Sequence, residues 1–278
     1  MASDEAVALL DHIIVLLPHD ELLNPPKWIS ENFNITDGGK HADGKTENKL
    51  IVFQDGTYIE LISFINDLPE NRAGHWWGAK PYSIIDWAFT TTTDYSLNHE
   101  TVVSRLSGLQ QKSPAPGRRG WFSYAPPQMG GRIRPDGVRL EWAVTFPTYT
   151  EKDGSPTRPP NIPFFCHDIT PREHRVNGLT DHPCGATGIR EVQVLTDEAD
   201  LKEYATYIST VVNSNQSADL GRIAVGTPSG TNGGVIFVSP TTDEERSQVK
   251  QRAFILKRLA FHLPSGDDPN KVTFSYPN

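Results

Sequence analysis

The sequence contains 278 residues, of which 37% are hydrophobic and 9% aromatic, enough to build the core of one large domain or two small ones. Its formal net charge of −8 would repel a phosphate backbone or an anionic membrane, so we expect neither nucleic acid nor a membrane as a partner. The two cysteines, Cys166 and Cys184, and a start without a basic flank and apolar stretch predict a cytoplasmic protein with free thiols.

The first predicted unit has the order βαβββ and covers about 9–66. A strand at 9–17 precedes a weak helix from Asp20 to Phe33, which places Pro25-Pro26 in its first turn. The three strands that follow are predicted at Asn34–His41, Lys49–Gln54 and Thr57–Ile65. If these strands curl into a half-barrel, His12 on the first strand and Glu60 on the fourth lie close together.

A second βαβββ unit is predicted over about 81–170. It begins with the strand Pro81–Phe89, and a helix over Asn98–Leu109 follows with apolar residues at helical spacing. Its remaining strands are predicted at Gly120–Tyr124, Val138–Phe146 and Ile162–Ile169, and the Gly/Pro-rich stretches 113–120 and 151–160 are predicted to be long loops.

The third unit shows the most regular pattern. The strand Gly188–Leu195 alternates, and Asp197 is expected to cap a helix that runs to Val212. Strands are then predicted at Leu220–Thr227, Gly233–Pro240 and Ala253–Leu263. We therefore predict a mixed α+β fold of repeated βαβββ units whose curved mixed sheets form half-barrels or a barrel, with one domain at 1–180 and a third-unit module at 181–278.

Three half-barrel units in one chain leave one unit without a partner. Two units can close on each other, and the open strand edges of the third then favour pairing with its copy in a homodimer. The alternative is that the third unit docks on the first two within one chain.

Several segments resemble the glyoxalase-like domain proteins of the vicinal oxygen chelate superfamily, over roughly Leu9 to Leu195. The segments that carry the resemblance include Leu10-Asp11-His12-Ile13-Ile14, Gly38-Gly39-Lys40-His41, Asp55-Gly56-Thr57-Tyr58-Ile59-Glu60-Leu61, Arg134-Pro135-Asp136-Gly137 and His182-Pro183. That superfamily includes glyoxalases, extradiol dioxygenases, epimerases, thiol transferases and metal-free binding proteins, so the fold is implied more firmly than the function.

The resemblance implies that His12 and Glu60 hold a divalent metal such as Zn, Ni, Mn or Fe. A metal bound by one imidazole and one or more carboxylates keeps open positions at which neighbouring substrate oxygens bind. Counting with period two puts Tyr58, Glu60 and Ile62 on one strand face, where an unpaired carboxylate is costly to bury. The alternative is that Glu60 accepts hydrogen bonds from Tyr or Arg and that His12 is a core histidine.

Two further metal ligands follow from lining the second unit against the first. Asp86 then corresponds to His12, and either Cys166 or His167 corresponds to Glu60; we select His167. Trp87 after Asp86 and the Cys166-His167-Asp168 triplet depart from the family pattern, so Asp86 is equally open to a local capping or pairing role.

Other polar and aromatic residues are candidates for the pocket. His41 is an acid/base candidate together with Glu60, although His41 can instead bond its own loop. Arg132 and Arg134 can clamp a substrate carboxylate or phosphate, with a surface ion pair as the alternative. Trp87 and Trp142 are substrate candidates within a group of aromatic residues that suits a hydrophobic ligand or simple core packing: Trp76, Trp77, Trp87, Trp121, Phe122 and Trp142.

These observations predict a metal-dependent enzyme with lyase, isomerase or dioxygenase activity on a small, hydrophobic or aromatic oxygenated molecule. The competing hypotheses are a metal-free small-molecule-binding protein and a cofactor-independent enzyme that transfers a proton.

Overall fold

The computed structural model describes residues 7–112, 122–150, 156–159, 162–213, 221–252, 254–265, 267–268 and 271–277. The first unit comprises β1 (Leu9–Leu16), α1 (His19–Leu23), α2 (Lys27–Ser30), β2 (Thr36–His41), β3 (Thr46–Val52) and β4 (Tyr58–Phe64). The prediction of one helix from Asp20 to Phe33 was wrong, because Pro25 and Pro26 separate two short helices. Proline offers no backbone N–H and therefore cannot continue a helix from within.

The second unit is more elaborate than its predicted strands. It comprises α3 (Pro69–Arg72), β5 (Ser83–Thr90), α4 (Tyr95–Lys112), β6 (Phe122–Tyr124), β7 (Gln128–Ile133), β8 (Arg139–Thr145), β9 (Pro147–Thr150), β10 (Pro156–Thr157) and β11 (Phe164–Asp168). The segment Gly120–Tyr124 was expected in the curved sheet, but β6 pairs with β9 in a separate three-stranded sheet. The barrel strand missing from the prediction is β7, and the short strands β9 and β10 were not predicted either. The predicted loop 113–120 lies outside the described residues, and β10 lies within the described part of the predicted loop 151–160.

The third unit contains its predicted helix and strands, but an unpredicted helix at Asp243–Arg252 interrupts the predicted βαβββ order before the strand that ends at His262. A short helix, α5 (Arg172–Arg175), precedes this unit. The unit itself comprises β12 (Gly188–Thr196), α6 (Glu198–Val212), β13 (Arg222–Gly226), β14 (Asn232–Val238), α7 (Asp243–Arg252), β15 (Phe254–His262) and β16 (Thr273–Phe274). Asp197 caps α6 as predicted, since its Oδ1 accepts a hydrogen bond from the backbone N–H of Ala199 at 3.2 Å. No helix in the described residues is long and apolar enough to cross a lipid bilayer.

The first two units close on each other into an eight-stranded barrel. The strands run in the order β1-β4-β3-β2-β7-β8-β11-β5, and β5 pairs with β1 to complete the ring. Within the first unit β1 and β4 are parallel, and His12 is next to Tyr58 in register. The α+β fold with curved sheets from repeated units is therefore present, and the barrel interior is the space that both units enclose.

The side chains of β4 alternate between the two sides of the barrel wall. Ile62 and Phe64 pack in a cluster with Phe164 and Cys166 inside the barrel, whereas Ile59 and Leu61 belong to the larger core outside it. The predicted period-two pattern of β4 is therefore confirmed, and it directs Tyr58 and Glu60 inward.

The third unit extends the barrel sheet and shares its outer core. Leu9 of β1 pairs in parallel with Gly226 of β13, and the sheet continues through β14, β12, β15 and β16. Trp87 of the barrel and Phe254 of the third unit, both fully buried, have ring centroids 6.5 Å apart. The third unit thus docks on the first two within one chain, while the division into domains at residue 180 stays a prediction.

Matching β-bulges relate β1, the first strand of the first unit, to β5, the first strand of the second unit. Asp11 is the extra residue where β1 pairs with β5, and Ile85 is the extra residue on β5. The two strands are related by a two-fold rotation that superimposes one bulge on the other. His12 and Asp86 are the residues that directly follow the two bulges, so they occupy corresponding positions, as the sequence alignment of the units predicted. In the third unit, the same pattern in β12 and β15 makes Glu191 and Arg258 the corresponding positions.

Candidate functional site

The barrel encloses a cavity of about 260 Å³. Its polar walls include His12, His41, Asn48, Glu60 and Arg132, which are contributed by strands of both units. Its apolar walls are mainly aromatic and include Trp76, Trp77, Trp142, Phe146 and Phe164. A small, largely apolar pocket with a few converging polar groups is typical of a small-molecule site.

The Glu60 carboxylate lies between two imidazoles. Its Oε2 is 3.8 Å from His12 Nε2, and its Oε1 is 3.5 Å from His41 Nε2. Asn48 on the neighbouring strand β3 donates a hydrogen bond from Nδ2 to Oε1 at 2.5 Å. The carboxylate is 6% exposed, so Asn48 and the two imidazoles replace much of its hydration.

Asp11 fixes the orientation of His12. The bulge in β1 allows adjacent residues to interact, and Asp11 Oδ2 lies 2.6 Å from His12 Nδ1. Asp11 also pairs with Arg172 at 2.6 Å and with Arg175 at 3.1 Å. Burial alone would raise the pKa of Asp11, but the two guanidinium groups and the His12 hydrogen bond hold it well below its usual value. Asp11 is therefore an anion that accepts the Nδ1 proton of His12.

This tautomer leaves two acceptors facing each other. When neutral, His12 presents the lone pair of Nε2 to Glu60 Oε2, so a proton or a cation between them is favourable. A carboxylate behind the other ring nitrogen is also common for metal-bound histidines. Within the ranges that the structure covers, however, no group of three or more His, Cys, Asp or Glu side chains is arranged to hold a metal ion. The His12–Glu60 pair thus offers two donors of the right chemistry but not a complete ligand set.

His41 is the second imidazole next to Glu60. Its Nδ1 lies 2.8 Å from Thr46 Oγ1, and its ring meets that of Trp142 edge-on with centroids 6.2 Å apart. Burial lowers the pKa of His41, and the nearby Glu60 charge only partly offsets this effect. His41 is therefore biased toward the neutral form at pH 7, in which it can both accept and donate a proton.

The structure separates the four predicted substrate residues into two pairs. Arg132 and Trp142 line the cavity. Trp87 instead lies in the outer core, where its ring packs against Phe89 with centroids 5.3 Å apart. Arg134 is outside the cavity at the end of the β7–β8 hairpin, where it pairs with Asp136 at 2.5 Å and donates to the carbonyl of His174.

The structure does not place Asp86 and His167 in the cavity with His12 and Glu60. The Asp86 carboxylate pairs with Arg158 and accepts a hydrogen bond from Trp77 Nε1 at 2.8 Å. Of the two residues considered on β11, Cys166 lines the cavity. His167 is on the opposite face, where its Nε2 is 3.0 Å from Thr91 Oγ1, because adjacent strand residues point to opposite sides.

Sequence reasoning missed the residues that support His12. Arg175 on α5 contacts Asp11, Asp168 and the hydroxyl of Tyr58, and the Tyr58 ring stacks on His12 with centroids 4.6 Å apart. The available signal was a buried-looking acid directly before His12 on a strand, which requires a cationic partner. The identity of that partner could not be read from the sequence, since Arg175 is 164 residues away from Asp11.

Comparison with protein-family models places this chain in one family. A model described as a glyoxalase-like domain matches residues 10–208. No curated protein is a significant match to the chain.

Among solved structures, a hypothetical protein from Staphylococcus aureus is similar in fold. It is 14% identical, 84% of this chain and 87% of that chain align, and the TM-score is 0.56. A xylose isomerase-like TIM barrel/4-hydroxyphenylpyruvate dioxygenase fusion protein is 13% identical with a TM-score of 0.48, and the alignment covers 95% of this chain but only 37% of the fusion protein. Glyoxalase I from Zea mays is 11% identical, with 88% and 95% of the two chains covered and a TM-score of 0.18. Only the first of these likenesses supports the fold, and none supports an activity.

Proposed function

Because the chain belongs to the glyoxalase-like domain family, we propose that it is an enzyme that moves a proton on a small, largely apolar oxygenated molecule in the barrel cavity. The observation that carries this proposal is the Glu60 carboxylate, placed between the Nε2 atoms of His12 and His41 in a cavity with aromatic walls. Lyase or isomerase chemistry on a carbon next to an oxygenated carbon requires such a group.

Glu60 is the proposed base. It removes the proton from the carbon next to a substrate carbonyl; the electron pair of that C–H bond forms a C=C bond, and the carbonyl π pair moves onto the oxygen to give an enolate. Asn48 holds the carboxylate in place by a hydrogen bond. Glu60 is only 6% exposed, so little water reaches its carboxylate.

The two histidines complete the proton path. His41, neutral because burial lowers its pKa, donates a proton to the enolate oxygen and recovers it when the product forms. His12, oriented by Asp11, shares the proton that Glu60 has accepted. The proton thus moves from carbon to Glu60 and returns to the same or the neighbouring carbon.

Deuterium exchange tests this activity. We expect the wild-type protein in D₂O to accelerate the loss of the α-proton NMR signal of at least one of phenylpyruvate, 2-hydroxyacetophenone and acetophenone. The Glu60→Gln variant is expected to lose that acceleration while keeping its thermal unfolding curve. Equal exchange by wild type and Glu60→Gln, or no acceleration with any of the three probes, would contradict the proposal.

A second candidate is a metal-assisted form of the same chemistry, and the tautomer of His12 favours it. His12 Nε2 and the Glu60 carboxylate would hold a divalent ion, which would polarise a substrate oxygen. The test is elemental analysis of purified protein and of the His12→Ala and Glu60→Ala variants. A stoichiometric metal lost in both variants supports this candidate, and its retention in Asp86→Asn and His167→Ala would remove those two residues from the ligand set.

A homodimer through the third unit is a further proposal that follows from its incomplete sheet. The sheet-face position Glu191 is 3.8 Å from Arg190 and 3.9 Å from Arg222, so this face carries both charges and can complement a second copy of itself. Light scattering at micromolar concentration tests it. A monomer mass would contradict the dimer and leave the proposed activity unaffected.

A further inference from the structure

We propose that the ligand of the barrel cavity is a small aromatic carboxylate whose anionic group binds to Arg132. This inference rests on the proposed function, because it assigns a substrate class to the same site. The observations that carry it are a buried guanidinium without an acidic partner, an aromatic wall and the position of Arg132 next to His41.

Arg132 is buried in a way that requires an explanation. The residue is 4% exposed, yet none of the carboxylates in the described parts of the chain lies within 4.0 Å of its guanidinium. Its Nη1 donates to the carbonyl oxygen of Gly38, and no described side chain accepts from its other N–H groups. Arg175, which also lines the cavity, pairs by contrast with Asp11 and Asp168.

A buried cation without a carboxylate in ion-pair contact is costly; the more distant Glu60 charge offsets only part of that cost for Arg132, and a ligand anion would offset more of it. Burial lowers the pKa of Arg132, although an arginine stays protonated at neutral pH. Because the guanidinium lines the cavity, a ligand carboxylate can accept two parallel hydrogen bonds from it. Arg175 is not available for this role, since its donors already serve Asp11, Asp168 and Tyr58.

The rest of the cavity selects for a flat apolar group of limited size. The volume of about 260 Å³ lies near the lower limit for ligand pockets. Trp142, Phe146 and Phe164 form much of the wall, and Gly130 opposite Trp142 leaves room for the indole. One aromatic ring with a short acidic side chain matches this combination of size and surface.

The position of Arg132 also orients the ligand toward the acid/base groups. His41 on β2 is the direct neighbour of Arg132 on β7, and His41 lies 3.5 Å from Glu60. A carboxylate on Arg132 is held by its charge and is repelled by Glu60, so the rest of the ligand extends past His41 and Glu60. In an aryl-substituted α-keto acid the keto carbon follows the carboxylate and the carbon that loses a proton comes after it, so anchoring the acid group at Arg132 fixes which C–H bond meets Glu60.

Titration calorimetry with a matched pair of ligands tests the assignment. The probes are 3-phenylpropanoate and its neutral amide, 3-phenylpropanamide, which differ little in shape. We expect wild type to bind the acid about 10- to 100-fold more tightly than the amide, the change that loss of a charged hydrogen bond produces. Arg132→Gln is expected to abolish this preference without weakening amide binding.

Arg139→Gln is the matched control, because Arg139 lies on the adjacent strand β8 and pairs at the surface with Glu141. It is expected to retain the full preference for the acid. Equal binding of acid and amide by wild type would overturn the inference even if Arg132→Gln failed to fold. A preference for the acid that survives in folded Arg132→Gln would overturn it as well.

The Glu60→Gln variant separates this inference from the proposed function. If Glu60→Gln loses deuterium exchange but wild type shows no preference for the acid, the activity stands and the carboxylate assignment fails. If the acid binds through Arg132 and Glu60→Gln exchanges as fast as wild type, the ligand class stands and the proton-transfer role of Glu60 fails.

Discussion

The barrel and the third unit each contain an antiparallel strand pair with the same two β-bulges, but very different residues occupy the corresponding positions. In the barrel, the positions related by the β-bulges hold His12 and Asp86, and both are almost fully buried. In the third unit, the corresponding positions hold Glu191 and Arg258, and Arg222 beside Glu191 has a half-exposed side chain. The two regions therefore share a backbone plan while only one of them contains a described reactive cluster.

Closure of the sheet explains the difference. The second unit covers the inner face of the first, so the side chains of Glu60 and His12 lose most of their water. The described strands of the third unit continue the sheet without forming a second ring. Glu191 is buried to a similar degree, at 7% exposure, but its described ion-pair partners are arginines rather than histidines. The ring therefore differs in placing a carboxylate between two imidazoles at the edge of a cavity.

The largest expected effect contrasts Glu60 with Glu191. Glu60→Gln should lower the rate of deuterium exchange by about 10²- to 10⁴-fold, because the proposed base is removed while the side-chain shape is kept. Glu191→Gln should leave the rate within twofold of wild type. Comparable losses in both variants would show that the barrel is not the seat of the activity.

The second prediction concerns the charge that holds His12. Asp11→Asn should reduce the free energy of unfolding by about 3–5 kcal/mol, because Arg172 and Arg175 lose their common buried partner. Glu191→Gln should cost less than about 1 kcal/mol, since its nearest guanidinium nitrogens are 3.8 and 3.9 Å away. Urea denaturation measures both, and a neutral result for Asp11→Asn would contradict the assigned ion-pair network.

The third prediction is a pH dependence that originates in the barrel wall. Burial lowers the pKa of His167 from 6.5 to about 4. Between these values the unfolded chain binds a proton that the folded protein rejects, so stability falls as the pH decreases from 6.5 to about 4. His167→Gln should remove roughly 2–3 kcal/mol of this decrease. The measurement is the free energy of unfolding at pH 7, 5.5 and 4. If it falls by the same amount in wild type and variant as the pH decreases, the prediction is refuted.

The smallest expected effect compares two glycines in equivalent sheet environments. A Cβ on Gly130 would lie 2.4 Å from Nε1 of the Trp142 indole, a rigid ring on the cavity wall. Gly130→Ala should therefore cost about 1–2 kcal/mol and weaken ligand binding. On Gly234 in the third unit, the atoms nearest to a Cβ belong to the Arg222 side chain, at 3.0–3.1 Å, and this half-exposed side chain can shift. Gly234→Ala should change stability by less than about 0.5 kcal/mol, and calorimetric melting compares the two.

The sequence predicted much of the fold because the strands carry clear local signals. The alternation in β4 identified the inward face of Glu60, and Asp197 marked the start of α6. It missed β7, because Gly130 and Gly131 weaken the strand pattern and their role becomes evident only opposite Trp142 and Glu141 on β8. It also misjudged the helix at Pro25-Pro26, where the missing N–H groups outweighed the apolar spacing.

The candidate site was only partly accessible to sequence reasoning. The alignment of two repeats correctly related His12 to Asp86, yet Asp86 is paired with Arg158 and Trp77 rather than with the His12–Glu60 cluster. His41 was foreseen as an acid/base residue on a loop, and its distance of 3.5 Å from Glu60 became known only from the structure. The metal role of His12 and Glu60 and the roles of the other selected residues stay predictions.

The sequence by itself determined the repeated strand–helix–strands plan and the inward direction of Glu60, because both follow from short-range periodicity and local capping. The tertiary structure decided which units close, which residue of the Cys166–His167 pair faces the cavity, and which cations neutralise Asp11. Those outcomes depend on contacts between segments that are distant in the sequence, the most distant being Asp11 and Arg175, which are 164 residues apart. Local patterns cannot specify such contacts, since their free energy arises only when the chain is packed.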